Sequence, residues 1–251
     1  MVWWYRPNLV WVSAAADVAS ALCRAFAPNR RPKDRIPLRF RLSPKSGDLP
    51  RLDDQTWLAR LATLGKNFNL ELPKPRLEQK GVPAAVIAPL VMPSWESALE
   101  DSHLLFIKRA SSLRKHSGQM AFPGGVMEEQ DQDLLSAGFR ESLEEVGLEE
   151  KNSRVLAELP AAFTPTGFLL QPFFVATTQQ QFVREPGEVD SIHLIPVTEL
   201  LSCPVRLEYR EWQGQTYRGI YFDTTSVCIW GVTGRITEVL LQHFFDWTPP
   251  S

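Results

Sequence analysis

The stretch "DLLSAGFRESLEEV" (133–146) is a helix-period segment set among runs of strand length, and this order constrains the fold more than any other feature of the chain. Leu134, Leu135, Phe139 and Leu143 are expected on its buried side, and Gly147 stands where a helix C-cap glycine belongs. Ahead of it lie "AAVIAPLVM" (84–92), "HLLFIKR" (103–109) and "GQMAFPGG" (118–125), the last ending in a glycine turn. Behind it lie "VLAELP", "FLLQPFFVATT", "SIHLIPV", "VRLEYR" and "RGIYFD". A closing helix is expected over about 226–245, where Ile229, Val232, Ile236 and Leu240 repeat at helical spacing. Strands on both sides of one internal helix, closed by a second, predict an α/β protein: a mixed β-sheet sandwiched between helices.

The internal helix is unusually acidic. Glu141, Glu144 and Glu145 stand at i, i+3 and i+4, so all three leave one face within a single turn. On a solvated helix such neighbours repel by only a few tenths of a kcal/mol per pair, roughly, and need no explanation. Lining a pocket they become costly. At an effective dielectric near 20, two charges about 5 Å apart repel by roughly 3 kcal/mol, and a divalent cation is the natural remedy.

The rest of the chain sets bounds. Its 251 residues allow one large domain with an extension, and a net charge of −2 gives no global argument for nucleic-acid binding. Cys23, Cys203 and Cys228 make no CxxC pair and no zinc set with the four histidines, which fits a reducing compartment. The first fifty residues differ, with nine lysines and arginines against three aspartates. Their apolar stretch, 9–26, is broken by Asp17 and Arg24 and does not read as a membrane span. A helical extension is the expectation there, with organelle targeting by the basic N-terminus left open beside a cytoplasmic location. An amphipathic helix is expected at "DDQTWLARLATL" (53–64), then a proline-containing linker. The division is therefore 1–81 as N-terminal extension and linker, and 82–248 as the main domain.

Taken together, "GGVMEEQDQDLLSAGFRESLEEVGL" resembles the signature of the Nudix hydrolases: a glycine, a spaced acid, then R-E-x-x-E-E-x-G-aliphatic. The matching positions are Gly125, Asp131, Arg140, Glu141, Glu144, Glu145, Gly147 and Leu148. Two departures stand out. Asp131 replaces the usual glutamate, one residue further from Arg140 than usual, and Ser142 stands where an aliphatic residue is common. Upstream, "LLFIKRASSLRKHSGQMAFPGG" (104–125) is similar to the extended motif of the coenzyme A diphosphatase branch, matched at Arg109, Ala110, Arg114, Gly118 and Phe122 to Gly125. That branch shows the longer spacing before the R-E pair. The likeness covers about 82–245.

The resemblance implies the Nudix fold and one or more Mg²⁺ or Mn²⁺ ions held by Gly125, Glu141, Glu144 and Glu145. It implies Glu141, Glu144, Glu145, Arg140 and Glu188 as catalytic residues, with Arg140 an organiser paired to a neighbouring carboxylate. Arg109, Arg114, Lys115 and His116 become candidate substrate ligands, arginine being able to grip phosphate through two parallel hydrogen bonds. The implied reaction is hydrolysis of the diphosphate of coenzyme A or an acyl-coenzyme A to 3′,5′-ADP and the (acyl-)4′-phosphopantetheine. Two other readings stay open: a Nudix hydrolase for ADP-ribose, a sugar nucleotide or a dinucleotide, and a catalytically silent binding module on the same fold. The expected partner is a small-molecule substrate, with a homodimer left open, and neither nucleic acid nor a membrane span is expected.

Overall fold

A computed structural model describes residues 81–111, 118–164, 166–212 and 215–249. The helix expected at 53–64, the N-terminal extension, and Arg114, Lys115 and His116 lie outside the described residues.

The chain enters through β1 (Val82–Val91), the spine of a mixed eight-stranded sheet. The other strands of that sheet are β2 (His103–Arg109), β3 (Met120–Ala121), β4 (Gly124–Val126), β5 (Ser153–Glu158), β6 (Ala162–Phe163), β7 (Phe168–Thr177) and β8 (Val189–Pro196). β7 runs parallel to β1 along its whole length, from Val82 opposite Phe168 to Val91 opposite Thr177. On its other edge β1 changes partner. Ala84 to Val86 pair with β4, while Leu90 and Val91 pair with β2. Between them the Ile87 N–H donates to the Pro123 carbonyl at 2.9 Å. The F-P-G-G stretch therefore crosses from β2's edge to β1's edge inside the sheet.

The internal helix, α1 (Leu134–Val146), begins in a capping box, with the Ser136 N–H bonded to the Asp133 carboxylate and the Asp133 N–H to the Ser136 hydroxyl. It ends at Gly147 in the left-handed conformation, φ 71°. Its buried face differs from expectation. Leu143 is exposed, while Gly138, Ser142, Glu145 and Val146 face inward with Phe139. The close approach to β1 is the reason: a Cβ at Gly138 would lie 2.9 Å from Ile87 Cδ1, so the helix docks along the row of Gly138, which has no side chain.

α2 (Val197–Ser202) follows β8 without a break, and β9 (Val205–Trp212), β10 (Gln215–Asp223) and β11 (Cys228–Ile229) form a second, three-stranded antiparallel sheet. The closing helix, α3 (Gly231–Phe244), starts later than expected. Thr224 and Val227 close a turn through both backbone and hydroxyl, and Cys228 and Ile229 are taken up by pairing with β10. Alternate residues of β1 divide the core. Ala84, Ala88 and Leu90 join α3 and the small sheet, whereas Ala85, Ile87 and Val91 join Phe139 and Val146 of α1. The large mixed sheet lies between helices, as expected. Among the described residues no helix is long and apolar enough to cross a membrane.

Candidate active site

The point where β1 changes partner is also where α1 presents its carboxylates. Glu145 is almost wholly buried, its side chain 2% exposed. One oxygen, Oε2, accepts the Gly124 N–H at 2.9 Å, and the other, Oε1, lies 3.5 Å from Arg109 Nη1. Burial pushes its carboxyl up to about 7; the Gly124 N–H and Arg109 hold it down, while Glu141 and Glu188 push it further up. Glu141, half-buried one turn earlier, is also raised by burial, against the pull of Arg140 and with the push of Glu144 and Glu188.

The glycines make this packing feasible. At Gly124, φ is +145°, and a Cβ would overlap the Ala85 carbonyl and come within 2.6 Å of Val86 Cα, so β4 lies against β1 without a side chain between them. A Cβ at Gly125 would sit 2.6 Å from both Glu141 carboxylate oxygens. The glycine is a cradle that the carboxylate fills.

Arg140 holds the loop before α1 to the helix. Its Nε and Nη2 each lie 3.0 Å from an oxygen of Asp131, Nη2 also donates to the Val126 carbonyl at 3.1 Å, and Nη1 reaches Glu141 at 3.1 Å and Glu144 at 3.4 Å. The organiser role expected of Arg140 has its partner in Asp131. Glu144 belongs to the rim, with its side chain 59% exposed.

Glu188 sits on an exposed turn that joins both halves of the site. Its carbonyl accepts the Ala110 N–H at 2.8 Å, and the Glu185 N–H bonds the Glu145 carbonyl at 2.9 Å. The loop leading from β7 into this turn caps α1, a task that sequence reasoning passed over: the Val183 N–H meets the Val146 carbonyl and Gln179 Nε2 the Gly147 carbonyl. The signal available was the polar run "TTQQQ" just after an apolar strand.

Of the expected site residues, the structure brings Gly125, Arg140, Glu141 and Glu145 together with Arg109, and Glu188 close enough for its charge to act on both buried glutamates. It leaves Glu144 at the edge. Among the described residues no group of three or more His, Cys, Asp and Glu side chains is arranged to hold an ion as it stands. The donor set nonetheless fits a hard cation. Two carboxylates are drawn out of water side by side and burial raises both, so a cation between them would supply positive charge that favours their ionised form.

The NUDIX domain family model matches residues 95–219. The chain is 30% identical over 188 residues to a protein of Photorhabdus laumondii described as "Uncharacterized Nudix hydrolase NudL", covering 73% of this chain and 97% of that one. The protein of that description from Enterobacter sp. strain 638 is 32% identical, over 63% of this chain and 81% of its own. Among solved structures, a MutT/nudix family protein from Enterococcus faecalis aligns at 15% identity and a TM-score of 0.40, over 74% of this chain and 72% of that one.

Proposed function

Because the chain belongs to the Nudix hydrolases, phosphoanhydride hydrolases that generally use divalent metal ions, we propose that its nucleoside diphosphate substrate is coenzyme A or an acyl-coenzyme A. One observation carries the reading. Both ends of the stretch similar to the coenzyme A diphosphatase motif bear on the same buried carboxylate: Arg109 on Glu145 Oε1 and Gly124 on Oε2. Residues that select the substrate then sit against residues that do the chemistry.

Glu141 and Glu145, with Glu144 and the Gly125 carbonyl, would hold Mg²⁺ or Mn²⁺. When bound, such an ion supplies charge neutralisation at the diphosphate oxygens. The protein's own residues do the rest. The Gly124 N–H fixes Glu145, Arg140 fixes Glu141, and Arg109 receives a substrate phosphate, with Arg114, Lys115 and His116 from the same motif. Glu188 takes the proton of the attacking water. Water oxygen adds to one phosphorus, the bond from that phosphorus to the bridging oxygen breaks, and the two phosphates depart as 3′,5′-ADP and 4′-phosphopantetheine or its acyl form. All of these residues lie within 82–248, so deleting residues 1–50 should leave kcat within a few-fold.

The test is chromatography of products after incubation with coenzyme A, an acyl-coenzyme A, dephospho-coenzyme A, ADP-ribose and a dinucleoside polyphosphate, each with Mg²⁺ or Mn²⁺. Coenzyme A should be cleaved about ten- to a hundredfold faster than dephospho-coenzyme A, the worth of one charged hydrogen bond to the 3′-phosphate. Equal rates on all of them would remove the coenzyme A assignment and leave a hydrolase of other nucleoside diphosphates. No product from any would favour the silent binding module.

A further inference from the structure

We propose that Arg109 is the internal counter-ion of the site: it occupies Glu145 when no cation is bound, competes with the cation for that carboxylate, and is released towards substrate phosphate as the cation loads. The inference rests on the reading of Glu145 as a cation ligand.

The argument begins with where the positive charge is. Glu141, Glu145 and Glu188 act on one another electrostatically. Among the described residues, Lys108 is drawn away to Asp190 at 2.8 Å, and Arg184 donates to the Val189 carbonyl. Arg140 is committed to Asp131, the Val126 carbonyl, Glu141 and Glu144. Arg109 serves Glu145, and it is held quite differently from Arg140. It reaches the carboxylate through one nitrogen at 3.5 Å, and its side chain is 27% exposed.

Its backbone, by contrast, is pinned. The Arg109 N–H bonds the Gln119 carbonyl at 3.0 Å, its own carbonyl accepts the Gly118 N–H at 3.0 Å, and the next N–H is tied to Glu188. Any movement at this position therefore belongs to the side chain. Glu145 Oε2 stays with the Gly124 N–H, which leaves Oε1 as the oxygen to which both Arg109 and a cation have a claim. Two positive charges at one oxygen repel, so each weakens the other's hold, and the coupling is reciprocal. A guanidinium displaced in this way, with solvent on its far side, is free to meet a phosphate through two hydrogen bonds. The cation then precedes the phosphate in the order of binding.

The experiment titrates Mn²⁺ into the full chain without substrate, reading free Mn²⁺ by electron paramagnetic resonance, for the natural protein, Arg109→Gln, Arg109→Lys and Glu145→Gln. Thermal melts in chelator and in saturating Mn²⁺ accompany it. Arg109→Gln should bind Mn²⁺ about five- to tenfold more tightly, and Arg109→Lys, which keeps the charge, should stay near the natural protein. Arg109→Gln should also melt lower than the natural protein in chelator, with the gap closing in Mn²⁺. If Glu145→Gln loses Mn²⁺ binding while Arg109→Gln binds no better than the natural protein, or while Arg109→Lys matches Arg109→Gln, the counter-ion role is wrong and the cation site stands. If Glu145→Gln binds Mn²⁺ as the natural protein does, the cation-ligand reading falls and the counter-ion role falls with it.

Discussion

Asp131 and Arg140 face each other through two parallel contacts, Nε to Oδ1 and Nη2 to Oδ2, both 3.0 Å, although nine positions separate them in the chain. The pair closes the loop that begins at Gly125. It lowers the Asp131 carboxyl and raises Arg140 still further above its ordinary value, each chiefly through that hydrogen bonding. The shorter aspartate and the longer loop, read in the sequence as departures from the family signature, are here one arrangement.

A single ammonium cannot reproduce that grip. Arg140→Lys keeps the charge but loses the planar fork that spans Asp131, the Val126 carbonyl and Glu141 together. It should lower kcat/KM about tenfold or more, chiefly in kcat, because Glu141 loses the partner that orients it. Steady-state kinetics on whichever diphosphate is cleaved, with melts alongside, checks this. An unchanged kcat would mean that the fork serves only the loop.

Gly124 and Gly125 adjoin each other but should fail in different ways. Alanine at 124 would be forced to a positive φ against the backbone of Ala85 and Val86, which cannot yield cheaply, so Gly124→Ala should destabilise the fold by about 3 kcal/mol or more. For alanine at 125 the nearest obstacle is the end of the Glu141 side chain, which can swing aside. Gly125→Ala should therefore melt close to the natural protein yet lose most activity. Denaturant melts and kcat on both variants separate the two effects.

How far the sequence reaches is visible at particular residues. β2 has its expected bounds, 103–109, because its centre, Leu104 to Ile107, is buried on both faces and reads as an apolar run. Gly147 is the helix stop for a local reason, its left-handed φ. Leu143 and Ser142 are the reverse case. Periodicity placed Leu143 inside, and the family signature made Ser142 a departure, yet Leu143 is exposed and Ser142 is wholly buried. Hydrophobicity alone does not announce that the Gly138 row fits against Ile87, since that fit depends on a strand about fifty positions earlier. The separate three-stranded sheet was hidden likewise, because pairing partners are non-local. The three glutamates of one helical turn looked equivalent. The fold ranks them instead, with Glu145 buried, Glu141 half-buried and Glu144 at the rim.

That ranking gives the metal-free protein a pH dependence with a definite sign. With the folded carboxyl of Glu145 at about 7 and the unfolded one near 4.5, the folded chain holds more protons between those values, so stability falls as pH rises through that window. Below it both forms are protonated, and above it both are ionised with the loss complete. The difference corresponds to about 3 kcal/mol. Melts in chelator from pH 4.5 to 8 should slope downward for the natural protein, and the slope should be markedly shallower in Glu145→Gln, which has no proton to lose there. Glu141, raised in the same direction, leaves part of the slope in that variant. Parallel slopes would mean that Glu145 is already ionised throughout, with Arg109 and the Gly124 N–H sufficient to hold it so.

The glutamates themselves supply the last test. Glu145→Gln keeps the shape and one acceptor oxygen but removes the negative charge that a hard cation requires. Its kcat at saturating Mg²⁺ should fall about 10²-fold or more, several kcal/mol of transition-state stabilisation. Glu141→Gln should be similarly severe, since the amide keeps the carboxylate's place against Gly125 but loses the charge a cation there would need. Glu144→Gln should fall between these and the controls, its side chain being mostly exposed and, among the described residues, tied to Arg140. Glu149→Gln and Glu150→Gln lie just past the end of α1, where Glu149 pairs with Lys151 and Glu150 is exposed, and they should change the rate little. Without metal, Glu145→Gln should melt as high as the natural protein or higher near pH 8, because it removes a buried charge that Glu141 and Glu188 oppose. A variant that is inactive yet no less stable marks a residue kept for chemistry at the fold's expense. If Glu145→Gln and Glu141→Gln instead keep the activity of the two controls, catalysis does not pass through this carboxylate pair.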